Sequence, residues 1–114
     1  NLIFVMDIQG KQLVHLGDLG HELDGQTLAK LGKVDVLMIP VGGYYTIDPD
    51  CAARLVRAIG PELAIAMHFK TGKIDFPIVD ESRFLSLTGG KKLSASEIEL
   101  GENEAYPPVV AMSI

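Results

Sequence analysis

The sequence predicts an α/β fold, a mixed sheet with a βαβαβ core and short strands toward its C-terminal end. Three observations predict it. Short, almost continuous apolar runs, VDVLMI and LAIAM, have the length and character of parallel strands buried on both faces. Helical spacing of apolar residues fills the segments between the strands. Glycine and proline punctuate nearly every junction. At 114 residues the chain is at most one domain on size alone, and long enough to bury a core.

Residues 2–8 (LIFVMDI) read as a strand by their apolar and β-branched content. Gln9, Gly10 and Lys11 form a turn, and residues 12–17 (QLVHLG) return as a second strand, making a hairpin. Asp18 to Gly25 is loop, broken by Gly20 and Gly25. Residues 26–31 are a short helix with Leu28 and Leu31 on its apolar side. Residues 34–39 are the strongest strand, ending at Pro40-Val41-Gly42-Gly43. A helix follows over 49–59, with Asp48 as N-cap and Pro49 at the first helical position. Its Ala52, Leu55, Val56 and Ile59 recur at spacings of three and four. Gly60-Pro61 stops it, and residues 63–67 are the next buried strand, running into His68. The remainder suggests a bend, a short helix over 80–87 and short strands near 91–93, 97–100 and 109–113.

The formal net charge of −5, spread along the chain, excludes the basic stripe of a nucleic-acid binder. Lys91-Lys92 reads as a solvated turn. No apolar run approaches the roughly 18 residues of a membrane span. Cys51 is the only cysteine, which leaves no internal disulfide and no thiolate cluster, and its setting at a helix start reads as packing rather than nucleophilic chemistry. With no signal-peptide pattern, the cytosol is the expected compartment. The chain opens directly on the apolar stretch NLIFVMDI, which predicts a fragment of a longer domain.

In open α/β sheets, ligands gather beyond the carboxyl ends of parallel strands. Three such ends carry chemistry here: Asp18, the Gly42-Gly43 loop, and His68. If the strands are adjacent, a carboxylate and an imidazole flank a glycine-permitted loop, and both types bind zinc-like ions. The plainer reading of each, a turn-forming aspartate and a packed histidine, stays open. His15 lies three residues before Asp18, so an undistorted strand puts the two on opposite faces, leaving a packed histidine or a supporting role for Asp18. His21, in the following loop, can face the same crevice or be a plain loop residue. Gly42 and Gly43 let the backbone approach a ligand closely, and Tyr44, Tyr45 and Thr46 offer hydroxyls there. Lys70, two residues past His68, is the cation near this crevice, and either binds an anionic group or is solvated.

HLGDLGHEL, VDVLMIPVGGYYTID and AMHFKT, followed by KIDFPI, resemble in order and spacing the metallo-β-lactamase superfamily, in a branch of metal-dependent hydrolases related to L-ascorbate-6-phosphate lactonases. The resemblance covers most of the chain. It implies an αββα sandwich of which these residues form the C-terminal half, with the N-terminal half absent. It also implies a catalytic role for Asp18, bridging two divalent ions, zinc or manganese, and a metal-ligand role for His68. The superfamily's His-x-His-x-Asp-His cluster has no match among His15, His21 and His68. The implied function of the parent protein is hydrolysis of an ester, lactone or phosphoester by metal-activated water, with a small-molecule substrate and neither nucleic acid nor membrane as partner.

Two ligands do not complete a zinc site, which normally has three or four. The chain alone is therefore expected to be inactive and to leave one sheet face uncovered, to be met by the N-terminal half or by self-association. A competing expectation is a metal-free structural or interaction module that kept the fold and lost the chemistry. A third is a small anion-binding domain using Gly42, Gly43 and Lys70.

Overall fold

In the computed structural model, which describes residues 2–71, 78–98 and 108–113, the chain begins with the predicted hairpin. Strands β1 (Phe4–Ile8) and β2 (Lys11–His15) pair antiparallel through a two-residue turn. Gln9 (φ 52°) and Gly10 (φ 80°) both take left-handed backbone, the combination that matches the strand twist in a tight hairpin. Lys11 therefore belongs to β2 and not to the turn. β2 also stops earlier than its apolar pattern suggests, because Gly17 (φ 60°) turns the chain out of the strand.

Helix α1 (Gly25–Leu31) leads to β3 (Val36–Pro40), and α2 (Pro49–Ile59) leads to β4 (Leu63–Met67). Both helices have aspartate caps. Asp24 accepts from the Thr27 N–H at 2.7 Å, and Asp48 from the Cys51 N–H at 2.8 Å, each satisfying a donor that the first turn leaves without a helical partner. α2 closes with Gly60 in the left-handed conformation, its N–H on the Val56 carbonyl. Helix α3 (Ser82–Thr88) follows, then β5 (Lys91–Lys92) and β6 (Val109–Ala111). The one sheet has the order β1-β2-β3-β4-β6-β5, antiparallel between β1 and β2 and parallel at every other pair.

The tail follows expectation in part. The strands expected near 91–93 and 109–113 are present as β5 and β6, so Lys91-Lys92 is strand rather than the solvated turn its charges suggested, and Lys92 Nζ reaches the Glu81 carboxylate at 2.8 Å. Glu97 and Ile98 are not strand; the rest of that predicted strand, 99–100, lies outside the described residues.

Helices α1, α2 and α3 cover one face of the sheet. Val14, Leu37, Ile39, Ala64 and Ala66 from the strands, with Leu16 just past β2, form one core with Leu31, Cys51, Leu55 and Phe84. On the other face Leu13, Val36, Leu63, Ile65 and Val110 are also buried, with Leu93, Ile98 and Met112 against them. The expected uncovered face is thus absent from the central strands. Apolar surface is open at β1 instead: all five of its residues are exposed, Phe4, Met6 and Ile8 toward one face and Val5 toward the other. Among the described residues β1 has no neighbour on its outer edge. No described helix is long and apolar enough to cross a membrane.

Candidate metal centre

β2, β3 and β4 are adjacent and parallel, so their carboxyl ends lie side by side, as the chain order requires of a βαβαβ unit. Three segments meet there. After His15 the Leu16 N–H still bonds to the Met38 carbonyl (3.1 Å), then left-handed Gly17 swings Asp18 out past the sheet edge. Buried Leu16 and Leu19 pin this short arc at both ends, and the Leu19 carbonyl accepts from the Ile47 N–H at 2.8 Å.

β3 ends in Pro40-Val41-Gly42-Gly43. Gly42 has no room for a side chain, since a Cβ there would run into the backbone carbonyl of His68. Its own carbonyl accepts from the Val79 N–H at 2.8 Å, and the Lys70 N–H donates to the Val79 carbonyl at 2.9 Å. Residues 78–79 are thereby stitched against the ends of β3 and β4. At the end of β4, His68 has φ 52°, a left-handed conformation unusual for a residue with a Cβ. Strain of this kind persists where surrounding structure over-determines it and clusters at functional sites.

These turns bring together two residues fifty positions apart: His68 Nε2 stands 3.2 Å from Asp18 Oδ1. Both side chains stay open to solvent, at 45% and 73% exposure, so neither is consumed by the core. Asp18, His68, Gly43, Tyr45, Thr46 and Ile78 line a cavity of about 420 Å³. The donor set suits a divalent ion. Two donors on one tetrahedral zinc, each at about 2.0–2.1 Å, stand about 3.4 Å apart, close to the separation found. Among the described residues no group of three or more His, Cys, Asp or Glu could hold an ion by itself.

The other predicted residues are placed less uniformly. His15 does not project with Asp18; it pairs across the hairpin with Phe4, edge to face at 6.2 Å, and its Nδ1 accepts the Gly17 N–H at 3.0 Å. His21 is exposed, its Nδ1 2.8 Å from the Glu22 carbonyl, and is not among the cavity's lining residues. Gly42 acts from behind the lining as a close-approach position, and Gly43 lines the cavity itself. Tyr44 is 76% exposed and stands against Tyr45, which with Thr46 supplies the loop's lining. Lys70 lines a neighbouring cavity of about 670 Å³ with Thr71, Ile78, Val79, Asp80, Glu81 and Lys92. Ile78 borders both cavities and was missed in the sequence, where only its place in KIDFPI marked it. Cys51 is buried in the helix-side core, and burial pushes its thiol pKa up, the opposite of an activated nucleophile.

The chain is similar to proteins already known. A family model described as a beta-lactamase superfamily domain matches residues 1–68. A UPF0173 metal-dependent hydrolase from Thermoplasma acidophilum is 38% identical over 98 residues, 84% of this chain and 42% of the relative. A crystal structure from Thermotoga maritima, of a protein assigned as a Zn-dependent hydrolase of the metallo-beta-lactamase superfamily, superposes with a TM-score of 0.87 at 35% identity. It covers 98% of this chain and 58% of that one. Igni18, a metallo hydrolase from Ignicoccus hospitalis, gives a TM-score of 0.57 at 30% identity over 70% of this chain and 34% of its own. The chain thus spans about half the length of these relatives or less. With more than half of its residues matched by the family model and its fold shared with those structures, the chain belongs to the beta-lactamase superfamily and has the metallo-β-lactamase fold.

Proposed function

We propose that the protein is a metal-dependent hydrolase in which Asp18 and His68 hold divalent ions at the carboxyl edge of the sheet. The observation that carries this reading is the approach of the two donors to 3.2 Å, on turns that need left-handed Gly17 and left-handed His68 to make it. The names of the relatives point the same way. Zinc or manganese suits a carboxylate and an imidazole. Asp18 would hold a divalent ion through its carboxylate and His68 through its imidazole nitrogen. When bound, such ions lower the pKa of water toward 7 and polarise a carbonyl or phosphoryl oxygen.

The chain's own residues shape what surrounds that chemistry. Tyr45, Thr46 and Ile78 wall the cavity and leave room for a small ester, lactone or phosphoester. Lys70, across Ile78 in the adjoining cavity, suits an anionic group at the far end of such a substrate. Tyr44 and His21, both exposed, lie at the periphery.

The relatives' additional length is proposed to supply the remaining ligands and to cover β1, whose apolar residues and bare edge are otherwise open; self-association through the same edge is the alternative for the isolated chain. With two candidate ligands brought together among the described residues, the 114 residues alone are proposed to be inactive. A chain with no possible internal disulfide fits the cytosol. The test is hydrolysis of an ester, lactone and phosphoester panel by the protein at full encoded length. Activity lost with chelator, restored by zinc or manganese and abolished in Asp18→Ala supports the reading; chelator-resistant activity, or an unaffected Asp18→Ala variant, overturns it. No hydrolysis and no metal in the full-length protein favours the metal-free module.

A further inference from the structure

The geometry points to His15 as a positioning residue for Asp18, acting through the backbone N–H of Gly17; this rests on the proposed metal-binding role of Asp18. The His15 side chain projects on the same face of β2 as Leu13, away from the helix-side core that holds Val14 and Leu16. It therefore does not enter the core that fixes the end of the strand. Its Nδ1 instead reaches forward along the chain and accepts the Gly17 N–H at 3.0 Å. An acceptor on residue i and a donor N–H at i+2 is the arrangement by which aspartate and asparagine build side-chain-closed turns. His15 does the same with an imidazole nitrogen.

The location of this turn gives it consequence. Leu16 and Leu19 are fixed by burial, so the freedom in this arc lies at Gly17 and Asp18 between them. Gly17 is left-handed (φ 60°), and glycine has no Cβ to hold it there. Its N–H, held by His15, sets the direction in which Asp18 leaves the strand, and that direction brings Oδ1 to His68 Nε2. The imidazole is itself oriented by the Phe4 ring, edge to face at 6.2 Å. The link thus runs from β1 through His15 and Gly17 to the carboxylate, with His15 touching neither substrate nor ion.

The experiment compares zinc affinity by calorimetry, the Co²⁺ absorption spectrum and the metal-free unfolding midpoint in the full-length protein carrying His15→Leu or His15→Asn. Leucine keeps an apolar contact for Phe4 and removes the acceptor; asparagine keeps an acceptor able to reach the i+2 N–H. His15→Leu is expected to weaken zinc binding about 10- to 100-fold, the range for partners that orient metal ligands. It also alters the Co²⁺ spectrum, and leaves the metal-free midpoint within about 5 °C of wild type. His15→Asn restores affinity and spectrum. Wild-type affinity in His15→Leu overturns the proposal, as does a His15→Asn variant equally impaired, which would reduce His15 to packing. Asp18→Ala measured alongside separates the two levels. If it loses zinc while His15→Leu does not, only the positioning role falls; if it binds zinc normally, the metal reading falls and this one with it. Should His15→Leu not fold, hydrogen exchange in the wild-type protein still decides: the Gly17 amide is protected by about tenfold or more, and an unprotected Gly17 overturns the link.

Discussion

Replacing Gly42 with alanine adds one methyl group where the fold brings two strand ends closest together. The new Cβ would meet the His68 carbonyl oxygen well inside 3.0 Å, with the His68 carbonyl carbon and the Ile78 Cβ each at 3.2 Å. None of these is the far end of a flexible side chain, so relief must come from the backbone. Val41 N–H is bonded to the Met67 carbonyl and the Gly42 carbonyl to the Val79 N–H, which ties β3 on both sides of the intrusion. His68 is left to move, by roughly 1 Å before the atoms reach ordinary contact. Overpacking of this kind costs about 1–3 kcal/mol. At about 4 °C or more per kcal/mol for a chain this size, the unfolding midpoint falls by some 4–12 °C or beyond. The displacement also opens the gap between His68 Nε2 and Asp18 Oδ1, and misplacing a reacting group by about 1 Å can cost 100-fold in rate. The assay pairs thermal unfolding of the metal-free protein with a zinc titration. A Gly42→Ala protein with wild-type midpoint and zinc affinity refutes the argument that Gly42 makes room for the His68 turn.

Other consequences are simpler. Asp48→Ala removes the α2 cap and is expected to cost about 1 kcal/mol, read from urea unfolding; no change would mean the cap is replaced by water at no loss. Phe84→Ala empties a fully buried site and should cost about 3–5 kcal/mol, visible as a lower denaturation midpoint. Acid should destabilise the fold in a predictable direction. The Arg83 guanidinium, hydrogen-bonded to Asp50, holds that carboxyl below its usual range, as the Thr27 and Ser82 N–H groups do for Asp24 and Asp80. A lowered folded-state pKa means that the unfolded chain binds more protons, so this stability is complete above the ordinary carboxylate pKa of about 4 and is lost as pH falls below it. The unfolding midpoint should drop below about pH 4, less steeply in Asp50→Asn; an equal slope in that variant would deny the Asp50–Arg83 pair its part. Met6→Lys, placing a charge on the open face of β1, should reduce any concentration-dependent association of the isolated chain in sedimentation, and unchanged association would locate the contact elsewhere.

Much of the fold was legible because its signals are local. α2 shows Asp48, Pro49 and an apolar face in eleven residues, and the structure has each where the pattern put it. β3 and β4 are short apolar runs too brief for helices and flanked by breakers, as buried strands should be. What was not legible depends on partners distant in sequence. Lys92 reads from its own charge as a solvated side chain, and it is an ion-pair partner because the Glu81 carboxylate, eleven residues earlier, stands 2.8 Å from its Nζ. β2 stops short of its apolar pattern because Gly17 turns left-handed, and glycine permits that turn without announcing it.

The site divides along the same line. Residue types and strand ends nominated Asp18 and His68, but nothing local encodes their approach, which arises from the adjacency of β2, β3 and β4. The tyrosines show the limit of composition. Adjacent hydroxyls in one loop look alike, yet left-handed Tyr44 (φ 62°) projects into solvent and Tyr45 lines the cavity. The expectation of an open sheet face failed at the centre because the chain carries its own cover there, including Leu93 and Ile98, while the apolar residues of β1 stay exposed.

Asp18 and His68 are proposed to share a divalent ion, and anomalous diffraction at the zinc absorption edge, from crystals of the full-length protein grown with zinc, decides whether they do. A peak is expected at about 2.0–2.2 Å from an Asp18 carboxylate oxygen and from His68 Nε2. Density that leaves the two side chains bonded to each other at 3.2 Å, with zinc elsewhere or nowhere, would rule out the shared ion.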